Sequence, residues 1–191
     1  AGLLVEDWED GYYRPAMIRG GLKSYVMAKA TVIFAVPSIV LTAGNLLFLL
    51  LLRTRLPWMG NAGAHTVGVL AEQGAGTLLT NGHYLLYGAC YCLELGILLG
   101  ILNLLAACSS LYLKNRLLTW IAPMLFYFLL QYLMMLTGIS RLGLLCFFDL
   151  TYNEQLWGTP VPFFAIGAGV FFFAVLGGFL IGKTERMVRN G

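Results

Sequence analysis

The chain has 191 residues, of which 59% are hydrophobic and 11% charged, with a net charge of +3 and a mean hydropathy of +0.79. Soluble domains are about 45–50% apolar and about 25% charged, so this chain has too few charges to cover a water-facing surface and too much apolar surface to stay disordered. The composition points to a bilayer as solvent and to an all-α, polytopic membrane protein, with no nucleic-acid partner expected.

The first 29 residues are polar and contain EDWEDGYYRPAMIRGGLKSYVMAK. Acidic residues come first, then Gly11, then Arg14, Arg19, Lys23 and Lys29. The stretch reads either as an interfacial amphipathic helix or as a cytoplasmic docking element for a partner. It lacks the basic start and apolar core of a signal peptide. The chain opens on Ala1 rather than Met, which is expected of a processed N-terminus or of a piece of a longer protein.

A membrane helix needs about 20 mostly apolar residues. Four stretches qualify, at residues 30–52, 84–111, 117–136 and 161–181. The links at 53–83 and 137–160 are expected on the outer side. In the first of them Trp58 suits an aromatic anchor at the interface, while His65 and Glu72 are too few for a metal site. The second carries a short apolar run, Gly143 to Leu150, that suits an interfacial or re-entrant helix. Nine of the twelve Lys and Arg residues fall in the N-terminal segment, the Ser109–Arg116 link and the tail from Lys183. Arg53, Arg55 and Arg141 lie on the opposite side. Because excess Lys and Arg marks the cytoplasmic side, the segment is expected to start and end in the cytoplasm.

Few polar residues lie at membrane depth. Glu94 is the one acidic residue well inside a span, and burying a carboxylate there costs several kcal/mol, on the order of 3 on insertion scales. His83, Tyr87, Cys90 and Glu94 follow at steps of 4, 3 and 4, which places them on one stripe of the second span. That stripe suits either a pathway lining or a plain helix contact with Glu94 protonated or hydrogen-bonded. Asn45 and Gln131 are further mid-membrane amides, suited to interhelical hydrogen bonds. Pro37 and Pro123 can kink their spans. Gly96 with Gly100, and Gly178 with Gly182, have the GxxxG spacing that lets backbones approach. Cys90, Cys92, Cys108 and Cys146 lack paired zinc spacing and read as small packing residues. The sequence contains no HExxH, GxSxG or P-loop, so no enzyme activity and no nucleotide site are expected of this chain.

Glu9, Gly11, Arg19, Tyr25 and Lys29, in that order before a span, resemble the cytoplasmic stretch that precedes the third span in ABC-transporter permeases of the type-2 export class. The remainder of the chain is similar to that family too, with four spans, a short basic inner turn, and a short apolar helix before the last span. The resemblance covers most of the chain and rests on an order of features rather than on an invariant signature. It implies that two spans precede this segment in the family pattern. It also implies that residues around Pro15 to Lys29, with Arg14, Arg19, Lys23, Tyr25 and Lys29 foremost, couple to an ATP-binding cassette subunit. ATP would then be bound by that partner, a second permease copy or homologue would complete a dimer, and this chain would bind no cofactor. The expected setting is a bacterial-type cell membrane, with Asn45, His83, Tyr87, Glu94 and Gln131 as candidate pathway residues. Two rivals stand beside this expectation: an ion-coupled carrier or channel centred on Glu94, and a non-transporting assembly or immunity protein.

Overall fold

The computed structural model describes residues 20–56, 78, 81–112, 116–136 and 161–190. Among these, all regular structure is helical. The elements are α1 (Leu22–Arg55), α2 (Tyr84–Ser110), α3 (Arg116–Leu136) and α4 (Val161–Asn190). Three of them are long and apolar enough to cross a membrane: α1, α2 and the stretch Ile166–Arg189 of α4. The shorter apolar stretch, Ile121–Leu133, lies within α3. At 1.5 Å per residue the 21 residues of α3 extend about 32 Å, close to the thickness of a hydrocarbon core.

The helices begin and end where local chemistry permits. Gly21 precedes α1 with φ +74°, and Gly82 precedes α2 with φ +78°. A side chain would strain the backbone at either position, and glycine does not. Helix α1 starts at Leu22, so Lys23, Tyr25 and Lys29 ride on the same helix as the apolar run beyond them. Helix α4 continues to Asn190 and carries Lys183, Arg186 and Arg189. Pro37 and Pro123 lie inside α1 and α3, each of which remains a single helix.

The lipid-facing character is written on the outside. In α1, Ile39, Val40, Leu47, Phe48 and Leu51 are each more than 60% exposed, as are Met124, Phe128 and Leu136 of α3 and Val170 and Phe171 of α4. Apolar exposure on this scale would cause aggregation in water and is the normal state of a helix face in lipid. Helix α2 differs. Half of its apolar window is buried, against 6% for α1 and 17% for α4. Its residues are apolar on nearly every side, as in a helix with neighbours on more than one face.

The chain packs as two units. Among the described residues the first comprises 20–37, 99–112, 116–129 and 169–190, and the second 38–56, 78, 81–98, 130–136 and 161–168. The core of the first unit is Val26, Ala30 and Ile33 of α1, Leu104, Ala107 and Cys108 of α2, and Leu180 of α4. Val26, Ala30 and Ile33 follow at helical spacing and share one face. Ala30 and Ala107 are fully buried, and their small side chains let the backbones close up where lipid supplies no hydrophobic drive. Phe34 meets Phe173 edge-on at 5.5 Å between centroids. Buried hydroxyls turn back on their own helices: Thr184 donates to the Leu180 carbonyl and Ser110 to that of Ala107.

In the second unit α1 and α2 run antiparallel with small residues at the contact. Gly88, Cys92 and Gly96 repeat every four residues along one face of α2. They meet Leu49, Thr42 and Ser38 of α1. A Cβ built on Gly88 would fall 2.5 Å from Leu49 Cδ1, and one on Gly96 would meet Thr42 Oγ1 and come within 2.6 Å of the Ser38 carbonyl. The Thr42 hydroxyl donates to the Cys92 carbonyl at 3.3 Å.

Candidate functional site

The two groups of residues singled out in the sequence fall in different units, and each is built by different elements. The basic group belongs to the first unit. Lys23, near the start of α1, pairs with Glu185, near the end of α4, at 3.6 Å. Both side chains are well exposed, so the pair contributes little energy, but it reports that these two helix ends are neighbours. Tyr25 packs against the core of this unit, and the Lys29 ammonium stands 5.9 Å from its ring centroid, one helical turn on. Arg14 and Arg19 lie outside the described residues.

At the same unit Tyr112, just beyond α2, stacks on Phe179 of α4 with centroids 6.2 Å apart. The Lys183 ammonium sits 4.3 Å from the centroid of the Tyr112 ring. Tyr112 and Phe179 border a cleft of about 290 Å³ that Leu105 and Cys108 of α2 and Pro123 and Phe126 of α3 also line. Periodicity alone could not find this cleft, because its walls come from three helices.

The stripe on α2 belongs to the second unit and is graded in depth. His83 is exposed and stands just before the helix, its N–H donating to the Leu78 carbonyl at 2.8 Å and its carbonyl accepting from Tyr87 at 3.1 Å. Tyr87 and Cys90 are half-buried. Glu94 is 0% exposed. This stripe lies roughly 180° around α2 from the Gly88–Cys92–Gly96 face, at about 100° per residue. Helix α2 is therefore enclosed on two sides at the level of Cys92 and Glu94.

Asn45 is half-buried on α1. On α3, the Gln131 Oε1 atom is buried and accepts no hydrogen bond from the described residues. The interhelical bond expected of Gln131 through that oxygen is thus not made among them. Cys90, Cys92 and Cys108 are free thiols, and Cys108 Sγ lies 3.8 Å from the Leu176 carbonyl as a weak donor. The described residues contain no group of three His, Cys, Asp or Glu side chains placed to hold a metal ion.

The residues that the sequence left unmarked are Ser38, Thr42 and Gly88, which build the close contact between α1 and α2. Their signal was present as a second small-residue repeat in step with Gly96. The Gly178–Gly182 pair, by contrast, has open space where a Cβ would stand. No protein-family model, no curated protein and no solved structure matches this chain. The all-helical, membrane-spanning class rests on its own apolar helices.

Proposed function

We propose that the chain is the membrane-spanning permease subunit of an ABC exporter, with its basic helix ends in the cytoplasm of a bacterial-type cell. The observation that carries this reading is the meeting of the start of α1 with the end of α4, marked by Lys23 and Glu185. It fits an even number of crossings, and the same unit gathers Lys23, Lys29, Lys183, Arg186 and Arg189. Positive charge of this density favours the cytoplasmic side. An ATP-hydrolysing partner docks there, against the stretch from Pro15 to Lys29. Because α1 is one helix from Leu22 to Arg55, a push on Lys23, Tyr25 and Lys29 is delivered along its axis to residues 38–55. The exposed faces of α1 and α4 are apolar, which suits a second permease copy and an amphiphilic cargo moving along or out of the bilayer.

The test is co-purification. Extracted from native membranes in mild detergent, the full-length protein should bring an ATP-binding cassette subunit with it, and a neighbouring gene should encode one. Charge reversal at Lys23 and Lys29 together should release that subunit. If no such subunit co-purifies and none is encoded nearby, the reading fails.

Complete burial of Glu94 in the middle of α2 favours a second reading, an ion-coupled carrier. Under it, Glu94→Gln abolishes transport, and flux follows a proton or sodium gradient without ATP. Under the permease reading the same substitution leaves ATP-driven flux largely intact.

A further inference from the structure

We infer that the cleft bordered by Tyr112, Pro123, Phe126 and Phe179 is a binding site for an anionic glycerophospholipid, with an acyl chain in the cleft and the headgroup phosphate at Lys183. The inference rests on the cytoplasmic orientation proposed above but not on the transport reading. Three observations converge on it.

First, the cleft is hydrocarbon-lined and of modest size. Its volume of about 290 Å³ is just under the range of small-molecule pockets, which run roughly 300–1,000 Å³. The Ser109 hydroxyl on its wall donates to the Ala106 carbonyl of its own helix at 2.8 Å. Such a lining accommodates an alkyl chain and offers little to a polar solute.

Second, the cleft opens outward. Tyr112, Phe126 and Phe179 on its border are 58%, 47% and 44% exposed. In a bilayer that opening faces lipid, so an acyl chain enters sideways without crossing water.

Third, a cation stands at the border. The Lys183 ammonium lies over the face of Tyr112 at 4.3 Å from its centroid, which fixes its position beside the cleft. Only part of its hydrogen-bonding capacity faces the ring, since an ammonium has three donors. The remaining charges of this unit reinforce the sign: Lys23, Lys29, Arg186 and Arg189 stand against Glu185. Basic clefts between membrane helices on the cytoplasmic side recognise anionic headgroups. A zwitterionic lipid would fill the cleft equally well but would gain less from Lys183.

Native mass spectrometry of the full chain in detergent, offered equal amounts of phosphatidylglycerol and phosphatidylcholine of the same chain length, tests this. The wild type should retain phosphatidylglycerol preferentially. Lys183→Gln should lower that preference about fivefold, the worth of one cation near an anionic surface. Arg186→Gln should change it little. Ala122→Trp, which fills the cleft from α3, should lower retention of both lipids. Equal losses from Lys183→Gln and Arg186→Gln would mean diffuse surface attraction and overturn the site. A wild-type measurement guards against misfolded variants: phosphatidylglycerol with a photoreactive acyl tail should crosslink to peptides spanning residues 105–126. Crosslinks confined to other helices would refute the inference.

Discussion

Substituting Gly96 by alanine is the sharpest probe of how α1 and α2 fit together. The added methyl would collide with the Thr42 hydroxyl and lie 2.6 Å from the Ser38 carbonyl. Thr42 can rotate away, but it then gives up its 3.3 Å hydrogen bond to the Cys92 carbonyl. The Ser38 carbonyl belongs to the α1 backbone and can yield only if the helices separate. Overpacking of a tight contact costs about 1–3 kcal/mol. An interhelical hydrogen bond in a membrane adds about 0.6 kcal/mol. Alanine returns up to about 1 kcal/mol of helix propensity. With the full propensity gain, the net expectation is a loss of about 0.6–2.6 kcal/mol. Unfolding of the protein in mixed micelles by added denaturing detergent, followed by circular dichroism, measures it. The double substitution Gly96→Ala with Thr42→Ala should recover only part of the loss, because the backbone contact with Ser38 remains. Gly96→Ala with stability equal to the wild type would refute the packing argument, as would complete recovery in the double variant.

Gly182→Ala and Gly178→Ala should be neutral or stabilising by up to about 1 kcal/mol in the same assay, since nothing stands within 4 Å of either Cβ position. Gly88→Ala should cost less than Gly96→Ala, because the atom it meets is the end of the flexible Leu49 side chain. Leu104→Ala should destabilise by about 2 kcal/mol, the cavity share of a loss that reaches about 2–5 kcal/mol in water-soluble cores, whereas Leu47→Ala on the lipid face should change little. Lys23→Ala should cost no more than about 0.5 kcal/mol of stability, being one half of an exposed pair, so any larger loss of partner binding reports docking rather than folding. Glu94→Gln should leave stability unchanged or raised, because it replaces an ionisable buried group by a neutral one of the same shape.

The helices were legible because each is written in local terms. A run of about 20 apolar residues must become a helix in lipid, where every backbone group has to be paired within its own segment. The stretch around Lys23, Tyr25 and Lys29 was less plain, since its polar residues suggested a separate element. The structure joins it to α1, because the break in the chain comes at Gly21 and no helix-breaking residue occurs until well inside the span. The GxxxG pairs show the limit from the other side. Gly96 and Gly178 head the same spacing, yet one is packed against Thr42 and Ser38 while the other faces open space. Spacing states that a close approach is possible, and only a partner helix makes it.

By itself, then, the sequence determined the solvent and the apolar helices. These come from composition and from hydropathy along the chain, which are local quantities. The tertiary structure decided which of the long apolar helices is most buried, that Lys23 meets Glu185, that Glu94 is fully enclosed, and that Lys183 rests on Tyr112 beside an apolar cleft. Each of these brings together residues far apart in the chain. In lipid, where no hydrophobic force selects one helix pairing over another, such meetings are chosen by shape and by a few polar contacts that no local pattern encodes.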